Sequence, residues 1–175
     1  YFEQKGEPFV YRCINRLDRD TTGLIVLAKH ALSAAVLSQA MRSREIHRTY
    51  QAFALGETAA SGTIDAPIAR LNGSLIQRTV DFASGERSVT HYRTPRLLRF
   101  SHLELNLETG RTHQIRVHMA YIGHPLLGDT LYNKTPGTFP RQALHSASLS
   151  FVHPITGEPL TFHAPLPEDM QNLLT

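Results

Sequence analysis

"LLRFSHLELNLETGRTHQIRVHMAYIGHP", residues 97–125, changes its hydrophobic period half-way, and that change sets the fold class. Leu103, Leu105 and Leu107 alternate with Glu104, Asn106 and Glu108, the period of two that a strand with one buried face requires. From residue 112 onward Ile115, Met119 and Ile122 recur at i, i+4 and i+7, the spacing of one helix face. Thr112 stands where an N-cap belongs, and Gly123 followed by Pro125 is a C-terminal stop. The spacing therefore predicts a helix of about three turns over 112–125.

The neighbouring segments follow the same two periods. "LIVLA" (24–28) is a β-rich apolar run consistent with a buried strand. "ALSAAVLSQAMRSR" (31–44) predicts a helix, with Leu32, Ala35, Val36, Gln39, Ala40 and Ser43 at helical spacing and Arg42 and Arg44 suited to its C-terminal dipole. "IHRTYQAFALG" (46–56) reads as a strand, as do "TIDAPIARL", "IQRTVDF" and "ERSVTHYRT" between residues 63 and 94. "SASLSFVHPITGEPLTFHAP" (146–165) predicts a hairpin turning at Pro154 to Gly157. With no repeat, low-complexity run or interdomain linker, the expectation is one α+β domain dominated by antiparallel strands.

A chain of 175 residues is the size of one domain and can bury one substantial core. Hydrophobic residues at 41% and charged residues at 19% are those of an ordinary soluble globular protein. No apolar stretch approaches the roughly 18–20 residues that a membrane span needs. "YFEQKGEPFVYR" (1–12) has the pattern of neither a signal nor a transit peptide, so a cytoplasmic location is expected. Cys13 is the only cysteine, which excludes an internal disulfide, and "YRCINRL" suits a buried strand residue. A formal charge of +3 and a pI of 9.2 permit a polyanionic partner without demanding one.

Three places invite a chemical reading. In "NRLDRDTTG" (15–23) Asp18 and Asp20 stand two apart before a glycine, which alone describes a charged turn. Leu17 and the apolar run from Leu24 pin that turn near the core, however, and a carboxylate there must find a cation or hydrogen bonds. In "TGRTHQIRVHM" the residues Arg111, His113, Arg116 and His118 form either a solvated basic helix start or a source for that cation, Arg116 lying beside the apolar stripe. Tyr50 in "HRTYQAF" is the third candidate, although a strand tyrosine is usually a core residue with its hydroxyl at an edge. The ten histidines do not suggest a metal centre: His113, His118 and His124 are five and six apart, and neither HExxH nor HxH occurs. GxSxG, GxGxxG and Walker patterns are absent as well.

"NRLDRDTTGLIVLAK" resembles the signature of the RluA-type RNA pseudouridine synthases, roughly [HN]-R-L-D-x-x-T-[ST]-G. "GRTHQIRVHMAYIGHPLLGDTLY" resembles that family's second long motif, "HRTYQAFALG" its Tyr-x-Ala segment, and "LHSASLSFVHPITGEPLTFHAPLP" its C-terminal segment. The four lie in the family's order. The resemblance implies a mixed, mainly antiparallel sheet flanked by a few helices and loops. It makes residues 1–175 a catalytic domain without the family's usual N-terminal strands and without an S4-type domain.

The resemblance also assigns roles. Asp18 corresponds to the catalytic aspartate, Tyr50 to the tyrosine that stacks on the target base, and Arg116 to the arginine that pairs with the aspartate. Asp20 falls on a variable position. Leu144 stands where an apolar residue lines the pocket, and Arg16, Arg111 and His113 are expected at the substrate. Arg16, Arg19, Arg70, Arg78, Arg111 and Lys134 are candidate phosphate contacts. The implied reaction breaks the uridine C1′–N1 bond, turns the base and rejoins it through C5, which requires no cofactor and no metal. The carboxylate acts on the sugar, on C6 of the base or on a ribose proton; the residues leave these three open. The target base must be flipped out of structured ribosomal or transfer RNA at a few kcal/mol, and stacking on an aromatic is worth ~1–3 kcal/mol. A monomer is expected. The competing expectations are a non-catalytic RNA-binding module or inactive fragment of this fold and, more remotely, a histidine-based metallohydrolase.

Overall fold

The computed structural model describes residues 2–6, 8 and 10–175; Tyr1, Glu7 and Phe9, within the polar N-terminal stretch, lie outside the described residues. The elements are, in order, α1 (Phe2–Lys5), β1 (Thr22–Gly23), α2 (Ala31–Arg42), β2 (His47–Leu55), β3 (Ser61–Asp65), β4 (Ile68–Arg70), β5 (Arg78–Val80), β6 (Val89–Leu97), β7 (Phe100–Leu107), α3 (Gln114–Tyr121), β8 (Leu144–Val152), β9 (Pro159–His163) and α4 (Glu168–Gln171). Seven strands make one sheet in the order β1-β8-β2-β7-β6-β3, with β9 also on β8, and β4 pairs with β5 in a separate ribbon. Every pairing is antiparallel except β1 on β8. The architecture is the mixed, mainly antiparallel α+β sheet that the sequence implied.

The period-two run of β7 does what it predicts. Leu103 and Leu105 are fully buried and oppose Ala52 and Tyr50 of β2. Ile115 and Met119 of α3 pack on that same face with Leu126 and Leu144. On the opposite face Phe53, Phe100 and Leu127 are covered by Met170 of α4. A third cluster, around Leu37, Ile46 and Leu149, lies beneath α2.

Several expectations need correction. The helix over 112–125 is shorter, Gln114–Tyr121, and Thr112 is not its cap. His113 takes the N-cap position at φ 58 without a side-chain cap bond. Gln114 replaces the cap: its carbonyl accepts from the Thr109 hydroxyl (2.8 Å) and the Arg111 N–H (3.0 Å), and its amide donates to the Val89 carbonyl (2.9 Å). The loop is thereby tied to β6 before the helix begins. The stop at Gly123 lies where expected, at φ 86.

The helix over 31–44 forms, but its buried face is Ser33, Ala34, Leu37 and Ala40 rather than the expected stripe. Leu32 and Val36 are 65% and 41% exposed. A helix made of small and apolar residues on every side gives its period no contrast. "LIVLA" is not a buried strand. β1 lasts two residues, after which Asn15 accepts the Val26 N–H through Oδ1 (2.8 Å) and draws the chain away from β8. Leu24 and Val26 face the core while Ile25 and Leu27 remain exposed. Cys13, in a single bridge with Leu27, is half-buried rather than buried. "TIDAPIARL" divides at Ala66–Pro67 between β3 and β4.

His118 is a fully buried structural residue, its ring nitrogens 2.8 Å from Thr90 Oγ1 and from the Ala66 carbonyl. Burial lowers its pKa and those of His102 and His145. Because the unfolded chain takes up protons below about pH 6.5 where the folded chain does not, stability is complete above that value and is lost as pH falls through it. Denaturant midpoints measured from about pH 7.5 to about pH 5.5 should decline monotonically.

Gly23, at φ 112, lies so near β8 that a Cβ there would sit 2.6 Å from the Ser146 nitrogen. Gly23→Ala should lower unfolding free energy by more than ~3 kcal/mol, combining backbone strain with a clash against main chain. Gly123→Ala, at φ 86 with nothing within 4 Å of its Cβ position, should cost only ~1–2 kcal/mol, both variants being compared with the parent by calorimetric unfolding.

Candidate active site

Strand β8 assembles the site. On one side its residues His145 and Ser146 pair with Thr22 and Gly23 of β1, and on the other β2 runs antiparallel. The close approach that Gly23 permits places the Asp18–Thr21 turn beside β8. The turn is closed by the Thr21 N–H to the Asp18 carbonyl (3.0 Å), and Asp20 occupies its left-handed position at φ 67. Arg141 donates to the Asp20 carbonyl (3.3 Å), and the Gln142 amide donates to the Arg19 carbonyl and to Thr21 Oγ1. Asn15 spans the base of the loop, donating to the Leu24 carbonyl (3.3 Å), and Thr22 Oγ1 meets His145 Nδ1 at 2.8 Å. The polar residues of "NRLDRDTTG" thus fix the turn, and the Asp20 side chain remains at the surface 3.8 Å from Arg19. Asp18 is turned the other way, its side chain 21% exposed and its Oδ2 3.5 Å from Arg116 Nη1.

The two residues are 98 positions apart in the chain. Arg116 is only 4% exposed, and its firmer partner is Asp129, which is wholly buried. Nε donates to Asp129 Oδ2 at 2.7 Å and Nη2 to Oδ1 at 2.8 Å, a bidentate pair. Asp129 Oδ1 also accepts the N–H groups of Leu131 (3.0 Å) and Tyr132 (3.3 Å). The Tyr132 ring lies 5.1 Å from the guanidinium carbon. Burial opposes the Arg116 charge, but the hydrogen bonds and charge of Asp129, with Asp18 behind them, outweigh it and raise the pKa. Asp129 and Tyr132 were not singled out from the sequence. Their signal was "GDTLY" (128–132), a glycine-led turn directly after an apolar pair.

Tyr50 is 5% exposed, in the central strand β2, where the pairing with β8 slips between Thr49 and Tyr50. Bulges of this kind re-aim a side chain. Burial pushes its phenol up, and the Arg48 guanidinium pulls it down less strongly. Leu144, buried opposite Ala52, completes with Leu17, Asp18, Tyr50 and Ile115 a narrow chamber of about 60 Å³. The chamber adjoins a trough of about 630 Å³ lined by Arg16, Arg19, Arg42, Arg44, Arg48 and Arg111, with Asp18 and Glu108 its only acidic lining residues among the described residues.

The expected substrate residues are placed as follows. Arg16 and Arg111 line both chamber and trough, Arg111 with Nη1 2.5 Å from Glu86. His113 lines both, with Nδ1 2.7 Å from the Tyr132 hydroxyl. Arg19 lines the trough alone, while Arg70 and Arg78 line a neighbouring depression of about 550 Å³ with Arg111, and Lys134 lines none of these. Arg48, which sequence reasoning passed over, lines both cavities and keeps its Nε buried without a hydrogen-bond partner among the described residues. Among the described residues no three or more His, Cys, Asp or Glu side chains are grouped to hold a metal ion.

Comparison with known proteins points to one family. The family model described as RNA pseudouridylate synthase matches residues 1–121. The chain is 48% identical to the uncharacterized RNA pseudouridine synthase YjbO of Bacillus subtilis, over 99% of this chain and 62% of the relative. It is 47% identical to ribosomal large subunit pseudouridine synthase D of Vibrio cholerae, over 90% of this chain and 53% of that protein. It spans little more than half the length of these curated relatives. Among solved structures, human RNA pseudouridylate synthase domain containing 1 superposes with a TM-score of 0.78 at 25% identity, over 89% of this chain and 69% of that one.

The ion pairs of this site should separate by mutation. Asp129→Asn leaves a buried guanidinium short of its main partner and should cost ~3–5 kcal/mol in denaturant unfolding. Asp18→Asn, at the longer and part-exposed contact, should cost under ~1 kcal/mol.

Proposed function

Because the chain belongs to the RNA pseudouridylate synthase family, we propose that it isomerises uridine to pseudouridine in RNA with Asp18 as the acting carboxylate. The observation that carries this reading is Asp18 on the lining shared by chamber and trough, facing Nη1 of an arginine whose other nitrogens are bound to Asp129. Arg116 in this reading holds the Asp18 carboxylate in orientation. Tyr50 and Leu144 form the walls between which the flipped base stacks, and base stacking on an aromatic is worth ~1–3 kcal/mol.

Arg16, Arg48 and Arg111 lie where the mouth of the chamber meets the trough, positioned for the phosphates on either side of the target nucleotide. Arg19 serves further along the trough, and Arg70 and Arg78 serve the adjoining depression. The isomerisation exchanges a C1′–N1 bond for a C1′–C5 bond within one nucleotide, so no group or electron enters from outside. The relatives named ribosomal large subunit pseudouridine synthase D favour large-subunit ribosomal RNA as the substrate over transfer RNA. The same reading takes residues 1–175 as one catalytic domain acting as a cytoplasmic monomer. Among the described residues no helix is long and apolar enough to cross a membrane.

Asp18→Asn should abolish pseudouridine formation on ribosomal RNA transcripts while the protein stays folded, and Arg116→Met should remove most of it. Asp20→Asn should retain activity within a few-fold. Turnover surviving in Asp18→Asn would refute the assignment. Salt-sensitive RNA binding with no turnover in the parent chain would support the non-catalytic module instead.

A further inference from the structure

His113 has two features that the roles above leave unused. It is a non-glycine residue held at φ 58, and its two ring nitrogens have different surroundings. Nδ1 is 2.7 Å from the Tyr132 hydroxyl, whereas Nε2 has no hydrogen-bond partner among the described residues, on a ring that lines chamber and trough. The Tyr132 oxygen already accepts the Arg78 N–H at 2.9 Å. Its own proton needs an acceptor, and His113 Nδ1 is the only one in reach among the described residues. An Nδ1 that accepts places the imidazole proton on Nε2. Burial lowers the His113 pKa, with the positive charges of Arg116 and Arg78 adding to it against the opposing pull of Asp18 and Asp129, which keeps the ring neutral.

We propose that His113, fixed by Tyr132 as the Nε2–H tautomer, donates a hydrogen bond to a carbonyl oxygen of the uracil ring as negative charge develops there. The inference rests on the function proposed above. When the C1′–N1 bond breaks, its electron pair goes to N1 and is shared with O2 and O4. If the carboxylate first adds at C6, the electrons of the C5=C6 bond move toward O4. On either path a ring carbonyl gains charge that a preorganised donor stabilises. The His113 proton stays on Nε2 throughout. The electron pair is used when C5 bonds to C1′, and the C5 proton then departs to a base as N1 takes up a proton. A carboxylate that had added at C6 leaves with the C6–O pair as C5=C6 re-forms. Tyr132 touches no reacting atom; it is a positioning residue.

The test compares His113→Gln with His113→Asn in the full chain on a ribosomal RNA transcript. A glutamine amide nitrogen reaches the place of Nε2, while an asparagine amide reaches only that of Nδ1. Asparagine also tolerates the left-handed backbone far better than glutamine. A purely structural role therefore favours Asn, and a donor role favours Gln. The expected result is a kcat loss of ~10²-fold or more in His113→Asn at similar KM, and a smaller loss in His113→Gln. Asn equal to or better than Gln would overturn the proposal.

Nitrogen-15 spectra of the histidine rings give an answer independent of turnover and of whether His113→Gln folds. The parent should show His113 as Nε2–H, and Tyr132→Phe should shift it toward the other tautomer with lower kcat and unchanged KM. An Nδ1–H tautomer in the parent refutes the proposal. A parent without pseudouridine formation refutes instead the function on which it rests.

Discussion

The site is organised by the buried pair of Arg116 and Asp129. Removing two charges from water is costly, and only close geometry with every lone pair engaged offsets it. Here the guanidinium meets the carboxylate through two bonds of 2.7 and 2.8 Å, and two backbone N–H groups complete the carboxylate. The orientation of Arg116 is therefore fixed without Asp18. The 3.5 Å contact to Asp18 uses the one remaining nitrogen. A carboxylate that itself had to anchor the guanidinium would be held too tightly to act on a substrate. With Asp129 as the anchor, Asp18 is oriented but not consumed.

Around that pair the fold brings three distant segments to one strand. Gly23 lets β1 lie against β8, the Tyr50 slip re-aims a side chain from β2, Leu144 opens β8 itself, and α3 carries Arg116 over the same face through Ile115 and Met119. Each device is local, and each depends on β8 being in register. Asn15, Thr22, Arg141 and Gln142 direct their hydrogen bonds to the turn on which Asp18 sits and to its neighbours on β8. The concentration of polar residues in "NRLDRDTTG" is mostly the structural requirement of that turn.

What the sequence made legible follows from where its signals are strong. Alternation in β7 and the β-rich run of β2 were unmistakable because one face of each is buried against α3. The pairing of Arg116 with a carboxylate across the chain was legible from an arginine beside an apolar stripe. Asp129 was not, because a turn aspartate after a glycine has the same local pattern whether its side chain faces water or a buried arginine. The face of α2 was misread because apolar residues surround it, and "LIVLA" because an apolar run does not reveal that Asn15 will divert the backbone. The cap of α3 was misread because Gln114 bonds backward to the loop instead of leaving the work to Thr112.

The contrast between trough and chamber suggests how affinity and selectivity divide. The trough is arginine-rich, yet parts of its rim are already engaged: Arg111 with Glu86, and Arg44 with Glu108. Arginines held by exposed carboxylates keep a defined position at little energetic gain, since such surface pairs are worth about 0–1 kcal/mol. A phosphate can displace or share those partners cheaply, which suits contacts that position a backbone without reading it. Arg48 differs, its Nε buried and unpaired where trough and chamber join. A buried donor without a partner is costly to keep, so under the proposed function a nucleotide that supplied an acceptor there would relieve a penalty already present in the free protein. Under the proposed function, sequence-independent binding thus belongs to the rim, and the commitment of one nucleotide to the chamber belongs to its mouth.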